Sequence, residues 1–435
     1  MANAAFNGYK PNEFIIESLD GKRIDITNSI LSIDYFEDIL NPAISMIVQV
    51  NNSYSIVSNL PIRGGERVEI DITTGSGDFV LNRDDDHLRV YKVSGIDGTR
   101  MAENFTLHLT TQEHFKNEVA RSYRRYNGKI SDSVKDILSN DLVTTKYIDE
   151  NIEETSNSYS FIGSFRKPFN VLQWLGPKSL SPEAGSSDPE PDGSLQQKAS
   201  GTSGYFFYEN SEGFNFKSID TLVSGLKGSG SSDTKKYYQY SYGGKVIKAN
   251  EVANNFEIID FSFEKNIDMR KSLRLGTFCN YSYLFNPYTY EVTAYKYDLR
   301  EEIGDKKLTK QTKFSLPEDL SGNPSRVLVR TTDDGIMAKD GGVSTSGRTP
   351  VDLAKSFARY NLLFTQALNI LIPCNTKLKV GDVIYCEFPE MSAGESKEID
   401  PESSGFYLIR ELRHHFSANQ NTTSLKLMRD SYGVY

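Results

Sequence analysis

Five histidines (His87, His108, His114, His414 and His415) and three cysteines (Cys279, Cys374 and Cys386) are the residues best suited to proton transfer, nucleophilic attack or metal ligation. Their spacing supports none of these chemistries. His414 and His415 are neighbours on a predicted strand, so they point to opposite faces and cannot chelate one ion together. His108 alternates with Thr106 and Thr110, which predicts a structural place on a sheet face. The acidic run from Asn82 to His87 lacks the glycine after its third acid and the distal bidentate glutamate of a calcium loop. Gly243-Gly244-Lys245 lacks the upstream glycine and the following hydroxyl of a phosphate loop. No G-x-S-x-G elbow, H-E-x-x-H helix or Walker loop occurs. The chain has 58 acidic residues, yet no pair is marked by its surroundings as buried or poised. We therefore expect no catalytic, cofactor-binding or metal-binding residues, no cofactor, and a protein that is not an enzyme.

Charge and composition narrow the class further. The balance of 49 basic against 58 acidic residues, net −9, argues against tight binding to nucleic acid, which needs clustered Lys and Arg. The one basic cluster, Arg121, Arg124 and Arg125, reads as a solvated helix face. Three cysteines cannot build a disulfide framework, and Cys374 and Cys386 flank predicted strands, so folding in a reducing compartment is expected. Residues Met1 to Lys10 carry no apolar core of signal-peptide length, and no apolar run approaches the ~18 residues of a membrane span. A soluble chain made in the cytoplasm is the expectation. The 25 Tyr and 24 Phe supply large apolar area with polar tips, which suits sheets and subunit interfaces.

What remains is organisation, and the chain contains one β-rich passage twice. The first copy opens at Ser32-Ile33-Asp34-Tyr35-Phe36-Glu37-Asp38-Ile39, the second at Ile259-Asp260-Phe261-Ser262-Phe263-Glu264-Lys265-Asn266-Ile267. Gly65-Glu66-Arg67-Val68-Glu69-Ile70 is matched by Gly381-Asp382-Val383-Ile384-Tyr385-Cys386. Each copy closes with two strands, Leu88 to Gly95 with Asn104 to Thr111, and Gly405 to Arg413 with Thr422 to Asp430. Strands draw on one pool of Val, Ile, Tyr and Phe, so likeness alone is weak; recurrence in the same order is the stronger sign. The offset is 226 from Ile33 to Ile259, 316 from Gly65 to Gly381 and 318 from Leu107 to Leu425. The second copy must therefore carry an insertion of about 90 residues.

At 435 residues, two to four domains are expected. The expected fold is mainly β with α+β parts: two related β-barrels, an intervening small α/β domain, and an insertion in the second barrel. Residues 1–111 form the first barrel, with a turn at Asp20-Gly21 and period-two strands at Ala43 to Val50 and Val68 to Ile72. Residues 112–222 form the α/β domain. Its predicted helices run from Glu113 to Tyr126, from an N-cap at Ser131, and from Pro168 to Leu175, before a hairpin at 204–218. Phe169, Val171, Leu172 and Trp174 would form the core side of the third helix. The stretch 177–204 is rich in Ser, Pro, Gly and acids and cannot build a core; glycines and serines recur at Gly225 to Ser232. Residues 223–251 read as a linker. Residues 252–285 and 364–435 form the second barrel, and 286–363 the inserted domain, with a helix from Pro350 to Leu363 whose Leu353, Phe357, Tyr360 and Leu363 lie near one face.

The closing passage carries a resemblance. A strand ending in Leu378-Lys379-Val380-Gly381-Asp382-Val383-Ile384 precedes Gly405-Phe406-Tyr407-Leu408-Ile409-Arg410-Glu411-Leu412-Arg413-His414-His415-Phe416, then Thr423-Ser424-Leu425-Lys426-Leu427-Met428-Arg429. This resembles the closing barrel of the baseplate or tail hub family of contractile-tail bacteriophages, which is related to late control protein D and to the hub part of type VI secretion spikes. His414, Phe416, Thr423 and Arg429 fall on the family pattern; a one-residue slip would make His415 the matching histidine. The motif likeness covers about sixty residues; two barrels, a domain between them and an insertion extend it to the architecture. The resemblance implies a structural virion protein of the tail baseplate, synthesised in the host cytoplasm. It implies a homotrimeric, pseudo-six-fold ring that adapts the tail tube or its initiator to a three-fold central spike. Baseplate wedge proteins would contact it, and double-stranded DNA would pass through without specific binding. The alternatives are the hub of a type VI secretion or related contractile injection spike, which a fused β-helical spike would favour, and a cell-wall hydrolase or carbohydrate-binding β module.

Overall fold

The computed structural model describes residues 9–51, 62–81, 88–98, 103–182, 203–224, 237–243, 256–264, 268–287, 289–302, 308, 317, 320, 322–331, 350–390, 399–418 and 420–431. The acidic run with His87, the segment 183–202, the Gly225 to Ser232 stretch and Lys245 lie outside the described residues.

The first passage folds as β1 (Tyr9–Glu17), β2 (Arg23–Asp25), β3 (Ile30–Asp38), β4 (Ser45–Asn51), β5 (Arg67–Thr74), β6 (Gly77–Leu81), β7 (Leu88–Gly98) and β8 (Glu103–Thr111). Period-two alternation decides the faces: in β4, Met46, Val48 and Val50 are buried while Gln49 is exposed. Next come helix α1 (Gln112–Val119), β9 (Arg125–Tyr126), helix α2 (Ile130–Asp136), β10 (Phe161–Ile162), helix α3 (Pro168–Leu175), the hairpin β11 (Tyr205–Asn210) and β12 (Gly213–Ser218), and helix α4 (Ile219–Ser224). The remainder is β13 (Gln239–Ser241), β14 (Asp260–Glu264), α5 (Met269–Leu275), β15 (Cys279–Asn286), β16 (Glu291–Asp298), α6 (Leu299–Glu302), β17 (Arg326–Thr331), α7 (Pro350–Leu363), β18 (Gln366–Pro373), β19 (Val383–Glu387), β20 (Gly405–Ser417) and β21 (Asn421–Arg429).

The fold is mainly β, and among the described residues both passages contribute to one 14-stranded sheet. Its strand order contains β3-β4-β8-β7-β5 from the first passage and β14-β18-β21-β20-β19 from the second, antiparallel throughout. Strand for strand the order is the same. The hydrogen bonds repeat as well. Gly65 N–H donates to Val90 O at 2.7 Å and Val90 N–H to Glu66 O at 3.0 Å. In the second copy Gly381 N–H donates to Ile409 O at 3.1 Å and Ile409 N–H to Asp382 O at 2.9 Å. The register breaks at matching places, between Val90 and Lys92 and between Ile409 and Glu411. Leu107 and Leu425, 318 apart, occupy the same place, opposite Val93 and Leu412.

One offset is corrected. Ile33 faces Val48, whose counterpart Ile370 faces Phe261, so the opening strands correspond at 228 rather than 226. A slip of two keeps every side chain on its face, so alternation cannot detect it. From β4 to β18 the offset becomes 322, so the extra residues enter after Glu264.

The paired glycines yield a prediction. Gly65 and Gly381 share a left-handed φ, +94° and +91°. Among the described residues an added Cβ at Gly65 meets only the Leu19 side chain at 3.7 Å, whereas at Gly381 it runs into the buried Tyr208 hydroxyl. Gly65→Ala should cost about 1–2 kcal/mol from backbone strain alone. Gly381→Ala should cost about 1–3 kcal/mol more from overpacking. Thermal unfolding of the two variants checks the order.

Among the described residues three buried clusters form the core. The largest spans both copies, from Phe14 to Met428. The second gathers Ile130, Val134, Ile137 and Leu138 with Phe169, Val171 and Leu172 against Phe207 and Phe214. Hairpin β11–β12 lies between these two: Tyr205 and Phe207 enter the second cluster, Phe206 and Tyr208 the first. Burial on both faces explains its unbroken aromatic run. Trp174 is only partly buried, at the edge. The third cluster packs α7 on the sheet β16-β15-β17.

Several local expectations change. The first helix ends at Val119, so Arg121, Arg124 and Arg125 are not a helix face; Arg124 pairs with Asp141 at 2.8 Å and Asp136 at 3.3 Å. The second helix starts after Lys129, which leaves Ser131 inside it, where its N–H donates to Thr155 Oγ1 at 3.1 Å. In α7 the face on the third cluster is Val351, Ala354, Ala358 and Leu362, while Leu353, Phe357 and Tyr360 are only partly buried. Alanines let helix and sheet approach closely, so the larger residues do not mark this contact. Cys279–Asn286 belongs to the sheet of the inserted region rather than to the second copy. Its alternation matches that of a barrel strand, so pairing alone distinguishes the two. Cys386 lies within β19, not beside it.

Candidate functional site: buried anchors at the joints

The candidate chemical residues are dispersed. His414 is buried, with Nδ1 2.8 Å from Thr423 Oγ1 and its ring stacked on Tyr35; burial pulls its pKa down to about 3, so it is a neutral core residue. The break at Arg410 shifts the strand phase so that Leu412, His414 and Phe416 all face inward. His415 projects to the other face, with Nδ1 2.7 Å from Asp34 Oδ1. His108 lies 2.7 Å from Ser94 Oγ and His114 Nδ1 3.0 Å from Thr110 Oγ1. Burial lowers the pKa of both. The three cysteines are free and buried, and burial pushes their thiols up, Cys279 to about 11 and Cys374 to about 12. Such thiols are poor nucleophiles. Among the described residues no group of three His, Cys, Asp or Glu is placed to hold a metal.

The buried charges form a different pattern: they sit where parts of the chain meet. Glu37, on the core face of β3, accepts hydrogen bonds from Tyr35 Oη at 2.8 Å, from Ser211 N–H at 2.8 Å and from Val380 N–H at 2.9 Å. It thereby ties the first copy to the β11–β12 hairpin and to the second copy. Desolvation raises its pKa to about 7, opposed by those hydrogen bonds. Both oxygens are occupied and the group is buried, so the shift marks an anchor rather than an acid poised for a substrate.

Glu209 is the second anchor. It receives Ile44 N–H at 3.1 Å, Thr111 Oγ1–H at 3.0 Å and the Lys146 ammonium at 2.8 Å; burial again raises its pKa. The third is Arg359 on α7, fully buried, with Nη1 2.7 Å from Asp430 Oδ2 at the end of β21 and Nε 3.8 Å from Asp220 on α4. Asp430 also accepts Leu308 N–H at 3.0 Å. None of these anchors was singled out from sequence. A signal existed for Glu37: β3 alternates Ile33, Tyr35 and Glu37 inward, which puts a carboxylate in the apolar phase.

Between the copies the backbone itself is the joint. Residues Glu411 to Ser417 of β20 pair antiparallel with Asp38 to Ser32 of β3, and Ile39 N–H donates to Arg410 O at 2.9 Å. Arg413 clamps Asp34 across the seam, Nε at 2.9 Å and Nη2 at 2.8 Å. Beside this seam, on the face away from the core, lies a groove of about 650 Å³. Asp38, Asp260 and Glu411 line it against Arg413 and Lys426, with Lys426 Nζ 2.6 Å from Glu411. Residues from seven strands share the groove, six neighbours from β14 to β4 and Tyr91 from β7 beyond β8, so the sheet curves around it.

Among the described residues the two copies form one duplicated sheet tied together by buried anchors. The fold is that of phage tail proteins. The tail protein from Neisseria meningitidis MC58 matches at a TM-score of 0.53 with 11% identity, covering 98% of each chain. The 43 kDa tail protein of prophage MuSo2 from Shewanella oneidensis matches at 0.50 with 8% identity, over 97% of this chain and 99% of the other. In sequence the chain is similar to a probable baseplate hub protein, gp334, of Vibrio phage KVP40: 20% identical over 449 residues, 96% of this chain and 95% of the relative. The resemblance to baseplate hubs read from the closing strands is thus borne out. No protein-family model matches the chain.

Proposed function

We propose that the protein is a structural hub of a phage tail baseplate, working as a homotrimer. The observation that carries this reading is the same five-strand order occurring twice in one continuous sheet. If each copy is one barrel of a ring, three chains present six alternating barrels. That ring matches a six-fold tail tube on one side and a three-fold central spike on the other. Domains 1–111 and 252–285 with 364–435 would build it, apart from Cys279–Asn286, and the α/β and inserted parts would face the baseplate wedges. The curved face with the mixed-charge groove would line the central channel, where interleaved acids and bases would let double-stranded DNA slide without gripping it. The role is structural rather than catalytic, in the virion tail, after synthesis in the host cytoplasm. Imaging of the assembled tail, or native mass spectrometry of the hub with its spike, tests the reading. We expect three chains per particle; a copy number that is not a multiple of three would overturn it.

A further inference from the structure

The seam inside one chain predicts the seam between chains. The strand correspondence maps Glu411 onto Lys92, Leu412 onto Val93 and Arg413 onto Ser94; it maps Asp34 onto Ser262 and Phe36 onto Glu264. The edge of β20 that pairs with β3 therefore has its counterpart on β7, and the edge of β3 that receives it has its counterpart on β14. Among the described residues β14 ends the sheet, and β7 meets β5 only at Leu88 and Arg89. Burial shows which seam is closed. Ile33 and Tyr35, covered by β20, are 0% and 1% exposed, while their counterparts Phe261 and Phe263 remain half-buried. Leu412 is 1% exposed, and its counterpart Val93 is half-buried. Open edges beside half-covered apolar residues invite strand addition.

We infer that Asp260–Glu264 of one chain adds antiparallel to the outer edge of Leu88–Gly98 in the next copy, with Ser94 opposite Glu264. The register follows from the internal seam, where Arg413 faces Phe36. The same mapping sets a charge pair. Inside the chain, Arg413 reaches diagonally across the seam to Asp34. Lys92 stands to Glu264 in that same diagonal relation, so an ammonium–carboxylate pair forms between copies. One edge meets a different edge, so the contact is head-to-tail and repeats until the ring closes. This inference deepens the trimeric ring reading and rests on it.

Disulfide trapping in the full chain tests it. Ser94→Cys combined with Glu264→Cys should, on mild oxidation, give covalent dimers and closed trimers on non-reducing gels. The resident cysteines are buried and do not compete. Ser94→Cys with Asp260→Cys, displaced by about 13 Å along the strand, should give none. Native mass spectrometry of the unoxidised chain runs in parallel. Lys92→Glu should weaken association roughly two- to five-fold per interface, and Lys92→Glu with Glu264→Lys should restore it. A trimer that fails to cross-link at Ser94–Glu264, or cross-links equally in the displaced pair, overturns the pairing and leaves the ring standing. A chain that stays monomeric at its solubility limit, with no cross-link, overturns both.

Discussion

Replacing Arg359 with alanine should destabilise the protein by about 3–5 kcal/mol, because it strands a buried carboxylate. Arg359 and Asp430 are both fully buried and 2.7 Å apart, so neither charge is shared with solvent. Their attraction offsets two desolvation costs, and removing one partner leaves the other cost whole. The pair also joins three segments: α7 of the inserted region, the end of β21, and Asp220 on α4. The loss should therefore appear first as detachment of the insertion, read as protease cleavage near residues 350–363 before global unfolding. Arg359→Lys should recover little, because a single ammonium cannot reproduce the planar fork. Arg359→Met with Asp430→Asn should recover most of the stability, since no uncompensated charge remains. A fully stable Arg359→Ala variant would show that the joint is held by packing alone.

The repeated sheet was legible because its evidence is local and periodic. Gly65 and Gly381 mark the same turn, and the closing strands keep alternating apolar residues, so order and offset could be read directly. The extent of the opening strand was less legible, since a slip of two residues leaves the pattern unchanged. The first helix was overextended for a similar reason: residues 120–126 hold helical spacing, but Ala120 is already extended and Tyr126 pairs with Phe161. The anchors were hardest to see. Glu209 and Arg359 look like ordinary surface charges in a chain a quarter of whose residues are charged. Only the meeting of segments more than sixty residues apart shows that they are buried.

Glu37→Ala should be the most pH-dependent variant. Removing the carboxylate strands the N–H groups of Val380 and Ser211, at about 1–3 kcal/mol for each buried donor. Against that, the wild-type carboxylate is itself costly to ionise in place. Its folded pKa, about 7, lies above the ordinary 4.5, so between those values the folded protein holds a proton that the unfolded chain has released. The stability this group confers is thus complete below pH 4.5, falls as pH rises toward 7, and is constant above that. A shift of that size corresponds to roughly 3 kcal/mol. Wild type should exceed Glu37→Ala by most at pH 5 and by least above pH 7, measured by denaturant unfolding across that range. Glu37→Gln should flatten the pH dependence yet remain weaker than wild type at pH 5. Its amide nitrogen must face at least one backbone donor, whichever way the amide is turned. A difference between wild type and Glu37→Ala that does not change from pH 5 to 8 would show that water reaches the carboxylate. The joint of the two copies with the hairpin would then be open, not sealed.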